Sequence, residues 1–431
     1  MAVTVFDECE DVPQSEMTED YRLVVSAGSN SFIAASTVWG ALRALETFSQ
    51  LLYSPNGNAW LVNETEIHDE PRFSHRGLLI DTSRHFLPLR SIMDTLDAMT
   101  YNKMNVLHWH IVDDQSFPFV SKTFPNMSEK GAFDPDTHVY MPEHVQYVIS
   151  EAAARGIRVM VEFDTPGHTR SWGEAFPGIL TTCYKGSKPS GELGPIDPTK
   201  NSTYAFLKQL FTEVAGVFPD GYIHLGGDEV DFYCWKSNPN IKRFMRQNGI
   251  AGKYKKLEDF YVQRLLRLVQ GVGKSYVVWQ EVFDHKVKIA PDTVVQVWLD
   301  KQEKELEAVT AAGFHALLSS CWYLDYIDYG SDWKQYYDCD PHNFTGTDTQ
   351  KSLVLGGEAC IWAEFVDATN LISRTWPRAC AAAERLWSAA SVNNATEAAA
   401  RFEEQRCRML RRGLRVEPEN GPGYCECDSA F

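Results

Sequence analysis

Two carboxylates, Asp228 and Glu229, adjoin at the end of an apolar run in "YIHLGGDEV". Adjacent acids repel each other, and packing alone gives no reason to set them behind two glycines. Acid–base chemistry does give one. Retaining glycosidases with an enzymic nucleophile hold two carboxyls about 5 Å apart across the scissile bond. Neighbours in sequence cannot easily flank one bond, but they can divide the work. Glu229 would donate a proton to a leaving oxygen, helped to keep that proton by the charge beside it, while Asp228 serves another part of the substrate.

The other candidates follow the same rule of placement. Seven further apolar runs end in Arg84-His85, Asp113-Asp114, His168, Trp279 with Glu281, Trp298 with Asp300, Tyr323 with Asp325, and Trp362 with Glu364. One acid after a strand is ordinarily a helix cap, and one Trp is ordinarily core. Gathered on one rim, three tryptophans and a tyrosine make flat apolar walls, and carboxylates with a single Arg can grip hydroxyls. Such a surface suits a carbohydrate, which has C–H faces and a hydroxyl edge. Phosphate would ask for more positive charge. A metal site at His108 and His110 of "HWH" is the competitor. Those histidines precede the strand end and match no strong ligand spacing, so they are expected to bond carboxylates or backbone, with no metal and no cofactor.

The runs that position these residues are "GLLIDTS", "NVLHWHIVDD", "IRVMVEFDTPGH", "GYIHLGGDE", "SYVVWQEV", "TVVQVWLD", "HALLSSCWYLD" and "LVLGGEACIWAE". Segments of helical spacing lie between several of them. Eight continuous apolar strands with intervening helices predict an α/β fold, a (β/α)8 barrel whose strand ends share one rim. A doubly wound open sheet is the alternative, and it lacks the Gly-rich phosphate loop after its first strand. Before the barrel, residues 21–62 predict strand, helix and strand ("YRLVVSA", "STVWGALRALETFSQLLY", "AWLVN"), with Ser36 or Thr37 as the helix cap. "HDEPRFSHRG" then reads as a linker. The expected division is a partial α+β domain over 1–70, then over 71–431 a catalytic barrel with C-terminal helices and a stapled tail.

A net charge of −17 argues against nucleic acid or anionic membranes as partners. No run approaches the roughly 20 apolar residues of a membrane span, so a soluble protein is expected. Sequons at Asn63, Asn126, Asn201, Asn343 and Asn394, with ten cysteines, point to the secretory route. The N-terminus carries no visible signal peptide, and the expectation is a chain whose first domain is incomplete.

"HLGGDEV" resembles the signature of family 20 glycoside hydrolases, the β-N-acetylhexosaminidases. "DTSRHFLPL", "NVLHWHIVDD", "EFDTPGH", "VVWQEVFD" and "GGEACIWAE" extend the likeness to lysosomal-type subunits, from about Thr37 to the C-terminus. That family is an exception to the two-carboxylate scheme, because its substrate assists. The resemblance implies that the 2-acetamido carbonyl attacks its own anomeric carbon, giving an oxazolinium intermediate and retention. Asp228 would hold the acetamido N–H, Glu229 would be general acid and then base, and Tyr323 would bond the acetamido oxygen. Trp279, Trp298 and Trp362 would wall the pocket, Arg84 and Glu364 would hold outer hydroxyls, and Asp114 and His168 would support the site. A terminal GlcNAc or GalNAc of a glycan, glycolipid or chito-oligosaccharide is the implied substrate. A homodimer or heterodimer in a lysosomal or secreted setting is also implied.

Asp325-Tyr326 stands where α-type subunits carry Asn-Arg, and with Asp300 it resembles the β-type. An acid there disfavours anionic sugars. The stretch Gly186–Pro189 resembles an α-type loop associated with a lipid-presenting activator protein, with Lys188 in place of an acid. The resemblance also implies disulfides Cys183–Cys234 and Cys407–Cys425, and a partner for Cys9 upstream of this chain. Cys321, Cys360 and Cys380 lie in apolar contexts and are expected to be buried thiols. Cys339 and Cys427 carry no assignment. The alternative of another class is a catalytically silent glycan-binding subunit, whose mark would be loss of Asp228, Glu229 or Tyr323. A metal-dependent hydrolase on the same barrel is the third.

Overall fold

The computed structural model describes residues 1–54, 59–326 and 328–426. Four strands, β1 (Ala2–Val5), β2 (Tyr21–Val25), β3 (Phe32–Ala35) and β4 (Thr65–Asp69), form a first sheet in the order β1-β3-β2-β4. The helix Val38–Leu51 lies on it, begun by Thr37, whose hydroxyl accepts from the Gly40 amide. That is the cap expected of a Thr before an apolar period.

Two expectations for this region are corrected. "AWLVN" is not a strand: Leu61 makes only an isolated bridge with Tyr53, since Trp60 and Leu61 are exposed and have no sheet face to bury them. The linker is half as long as expected, with only residues 70–74 lying between strands. His68 and Asp69 end β4, paired with Arg22 and Tyr21 of β2, and His75 already begins the next strand. Long-range pairing overrides its polar, turn-like composition.

The eight apolar runs all become strands of one closed parallel barrel. In chain order these are β5 (His75–Asp81), β6 (Val106–Val112) and β7 (Arg158–Phe163). An antiparallel hairpin, β8 (Leu180–Lys185) and β9 (Lys188–Ile196), follows β7 outside the barrel. The barrel then resumes with β10 (Tyr222–His224), β11 (Ser275–Trp279), β12 (Val294–Val297), β13 (His315–Leu318) and β14 (Val354–Ile361), which closes against β5. Helices such as Leu89–Tyr101, Pro142–Ala154, Asn201–Val217 and Tyr254–Gly271 cover the outside. Covered on both faces, the strands need apolar residues at nearly every position, which is why they read as continuous runs.

The inward faces stack in storeys. Along β6 the period of two sends Val106, His108 and His110 into the lumen. Val106 joins Met160, Val277, Val294 and Leu317 in an apolar floor. Above it lies a polar storey of His108, Glu162, His224, Gln296 and Glu358, each 0% exposed. Gly77 makes room there: a Cβ on it would stand 2.5 Å from Glu358 Cγ. The top storey is aromatic, with Leu79, Trp279, Tyr323 and Cys360 packed together and Trp298 and Trp362 against them.

Buried ion pairs join sheet and barrel. Glu19 accepts from Arg43 Nε at 2.8 Å and from Arg76 Nη2 of β5 at 2.7 Å. Disulfides link Cys183–Cys234 and Cys407–Cys425. A third, Cys321–Cys339, corrects the expectation of a buried thiol at Cys321. The chain turns back after β13 and carries Cys339, at the end of the helix Trp333–Asp338, to 6.3 Å Cα–Cα from Cys321, within disulfide reach. Cys360 and Cys380 are buried free thiols, Cys9 is exposed, and Cys427 lies outside the described residues. All five sequon asparagines are exposed. Among the described residues no helix is long and apolar enough to cross a membrane.

Candidate active site

The C-terminal strand ends surround a cavity of about 650 Å³. Arg84, His168, Asp228, Glu229, Trp279, Trp298, Tyr323, Asp325, Trp362 and Glu364 all line it, so ten of the eleven sequence-derived catalytic and binding residues meet in one place. Asp114 does not reach it. Its carboxylate accepts from the Arg170 amide at 2.9 Å and lines an adjoining cavity of about 520 Å³, which shares His168 and Glu229 with the first. Asp113 faces the site instead. Counting by twos along β6 would point residue 114 inward, but the register slips between His110 and Val112. One extra residue inverts the parity.

The two glycines before the acid pair now have a physical reason. Gly226 (φ +65°) and Gly227 (φ +100°) take left-handed conformations, and Glu229 follows at φ +48°. A Cβ on Gly226 would fall on the Asp164 carboxylate, so only glycine allows that approach. The turn sends the neighbouring acids opposite ways. The Asp228 side chain is 11% exposed and points in, whereas that of Glu229 is 60% exposed and stands at the mouth. Glu229 and His168 (φ +54°) are non-glycine residues held in a costly region of backbone space, a kind of strain that concentrates at functional sites.

Asp228 is built to remain an anion. Burial alone would raise its pKa, but the His168 charge, with bonds from His168 and Asp164, holds it below the ordinary range. His168 Nε2 lies 3.5 Å from Asp228 Oδ2, and its Nδ1 faces Asp113 Oδ1 at 3.2 Å. Burial would strip its proton, yet Asp164 and Asp228 keep its pKa well above the usual value. Asp164 goes the other way: burial and the Asp228 charge raise its pKa well above the ordinary value.

Arg84 is fixed by Asp81 Oδ2 (2.8 Å) and Asp113 Oδ2 (2.9 Å), with Glu364 Oε1 3.6 Å away. Its guanidinium lies over Trp362, 5.1 Å from the ring centroid. Trp298 stacks with Tyr323 at 6.0 Å, and Trp279 meets Trp298 and Trp362 at 6.3 and 6.1 Å. Glu281 accepts from Trp298 Nε1 at 2.9 Å and, through burial and the Asp228 charge, is pushed up to about 7. Burial pushes Asp325 up to about 6.

Three buried polar atoms at this cavity have no partner within the protein: Arg84 Nε, Asp228 Oδ1 and Asp325 Oδ1. One donor and two acceptors beside aromatic walls can engage amide and hydroxyl groups of a ligand. Sequence reasoning placed Asp81, Asp113 and Asp164 in motifs or strand ends without giving them roles. The signal was present for Asp81, three residues before Arg84 on the same strand end. Asp164 carried the same signal, directly after β7 in "EFDTPGH", but its place against Asp228 depends on the Gly226 turn.

The metal alternative meets a geometric objection. His108, Glu162 and His224 could bring ligand atoms together. His108, however, spends Nδ1 on Glu358 at 2.7 Å and Nε2 on Glu162 at 2.9 Å, and His110 is likewise engaged by Glu162 and Asp113. An imidazole that donates from both nitrogens has no lone pair for an ion.

Residues 73–390 match the catalytic domain of glycosyl hydrolase family 20, and residues 1–51 match a domain described as beta-acetyl hexosaminidase like. The bovine (Bos taurus) beta-hexosaminidase subunit alpha is 54% identical over 99% of this chain and 81% of its own length. The human (Homo sapiens) subunit beta is 53% identical over 99% of this chain and 76% of its own. Among solved structures, an exo beta-N-acetylglucosaminidase from Vibrio harveyi in complex with N-acetylglucosamine superposes with TM-score 0.83. It is 26% identical over 97% of this chain and 69% of that one. With its closed barrel, its left-handed acid turn and this likeness across nearly its whole length, the chain belongs to glycosyl hydrolase family 20.

Proposed function

We propose that this chain is a retaining exo-β-N-acetylhexosaminidase that removes terminal GlcNAc or GalNAc with its substrate's own acetamido group as nucleophile. The observation that carries this reading is the divergence of Asp228 and Glu229 from one left-handed turn. The inward anion lines the cavity and is placed to accept an acetamido N–H. The outward acid is solvated, placed to protonate a leaving oxygen and then to activate water. As the acetamido carbonyl closes on the anomeric carbon its nitrogen gains positive charge, which Asp228 stabilises. The Tyr323 hydroxyl positions the carbonyl oxygen. Arg84 and Glu364 hold outer hydroxyls, and the aromatic rings exclude water and stack on the sugar.

The names of the relatives, subunit alpha and subunit beta, support an assembly of like or related chains, and the disulfides and exposed sequons support a lysosomal or secreted route. The α-type stretch Gly186–Pro189 spans the β8–β9 turn, where an activator protein could dock. Two chromogenic β-glycosides test the reaction at mildly acidic pH, an N-acetylglucosaminide and the plain glucoside. Cleavage of the first with scarcely any of the second is expected. Equal cleavage would overturn the mechanism, and cleavage of neither would overturn the activity.

A further inference from the structure

A chain of buried charges runs through the barrel lumen to the catalytic centre. His75 Nε2 meets Glu358 Oε1 at 2.6 Å, and His108 bridges Glu358 and Glu162 at 2.7 and 2.9 Å. His110 then bridges Glu162 and Asp113 at 2.8 Å on both sides. Asp113 turns to Arg84 and His168, and His168 to Asp228. From His108 to Asp113 every side chain is at most 1% exposed.

Proton placement follows from partner types alone. A carboxylate only accepts, so an imidazole facing carboxylates at both nitrogens must donate from both and carry a positive charge. His108 and His110 meet that condition. Burial opposes the charge, but Glu358 and Glu162 hold His108 up to about 9, and Glu162 and Asp113 raise His110 well above its usual value. From Glu358 through His108, Glu162 and His110 to Asp113 the signs alternate, so each buried charge has an opposite neighbour. From Glu358 to Asp113 the bond directions are fixed by donor and acceptor type, so this stretch acts as a prop.

Glu162 sits at its crossing. Its Oε2 takes both His108 and His110, while its Oε1 accepts from Trp279 Nε1 at 2.9 Å, a wall of the sugar pocket. We propose that Glu162 is a positioning residue for hydrolysis: it keeps His110 doubly protonated, so that Asp113 stays an anion able to hold Arg84 and His168 together, and it aims Trp279. This rests on the role proposed above for Asp228, which His168 supports. Glu162 faces His108 and His110 of β6, His224 of β10 and Trp279 of β11. His168 faces Asp113, Asp164, Asp228 and Glu229.

The test is Glu162→Gln, assayed with the chromogenic N-acetylglucosaminide across pH. An amide cannot fix the His110 proton, so kcat should fall on the order of 10- to 100-fold, as loss of an orienting partner typically costs. The alkaline limb of the kcat profile should move to lower pH. Glu19→Gln, which breaks the buried pairs under the barrel, controls for simple destabilisation and should leave the profile in place. An unchanged profile with near-normal kcat in Glu162→Gln would overturn the proposal. Should that variant not fold, ¹⁵N-histidine NMR of the unaltered protein decides. Both nitrogens of His108 and His110 should keep imidazolium shifts to pH 8, and a neutral tautomer at pH 7 would overturn it. The NMR result does not depend on turnover, so a failed activity reading and a failed positioning reading are told apart.

Discussion

The lumen beneath the sugar pocket and the rim around its mouth hold similar residue types in opposite conditions. In the lumen Glu162 and Glu358 are wholly buried and spoken for by imidazolium and indole donors. On the rim the side chains of Glu229 and Glu364 are 60% and 49% exposed, and Phe365 stands 84% exposed. Water and salt screen the rim charges within about 10 Å, whereas the lumen charges feel each other almost undiminished. The difference separates two jobs. Fixed charge below holds the machinery in shape, and mobile, wetted groups above meet substrate and exchange protons with solvent.

Substitutions can break that division, and the largest effect is expected at the mouth. Glu229→Gln should lower kcat by about 10²–10⁴-fold, the usual worth of a positioned acid–base group, with no loss of melting temperature. A variant that turned over normally would end its assignment as the acid. Next comes Tyr323→Phe, which keeps the stacking on Trp298 and removes one hydroxyl. A kcat loss on the order of 10²-fold, typical of a single oxyanion donor, would sharpen the contrast between shape and chemistry. A loss in KM alone would contradict it.

The third prediction concerns pH and stability. Glu281 and Asp325 have folded pKa values of about 7 and about 6, above their ordinary 4.5 and 3.8. The folded state therefore binds their protons more tightly than the unfolded state, and their contribution is complete below about pH 4 and lost as pH rises toward 7. His168, also raised, loses its share above that range. Asp113 and Glu358, both lowered, lose theirs progressively as pH falls below about 4. Melting temperature should peak near pH 5 and fall several degrees by pH 8, with Glu281 worth at most roughly 3 kcal/mol. A curve rising from pH 5 to 8 would refute this balance, which suits an acidic compartment.

The smallest effect belongs to the rim charge. Asp325→Asn should raise relative turnover of a 6-sulfated N-acetylglucosaminide about 2- to 5-fold above pH 6, where the half-buried Asp325 carries its charge, and the gain should fade at lower pH as that carboxylate takes up its proton. A gain that persisted unchanged below about pH 5 would mean that the Asp325 charge is not its cause.

The barrel was legible because strands covered on both faces must be apolar throughout, and eight such runs leave few alternatives. The pocket was legible because barrel geometry converts "end of strand" into a shared place. Three things escaped in whole or in part, each set by contacts distant in sequence. Asp113 replaced Asp114 because a register slip after His110 is invisible to counting by twos. Cys321 found Cys339 across a turn of the chain. The charged storey was legible only from one side: His108 and His110 were expected to bond carboxylates, but their partners Glu162 and Glu358, on other strands, are each one polar residue in an apolar run and went unnamed.

Gly77 gives that storey its space, and the consequence reaches beyond the bench. A single added methyl in β5, remote from any sugar, would displace Glu358 and unsettle the rings above it. Such a change would show itself as scarce enzyme, cleared before it matures, with the surviving molecules keeping their specificity. A small inhibitor that binds only the folded pocket would then raise the amount of protein delivered, because occupancy draws the population toward the native form.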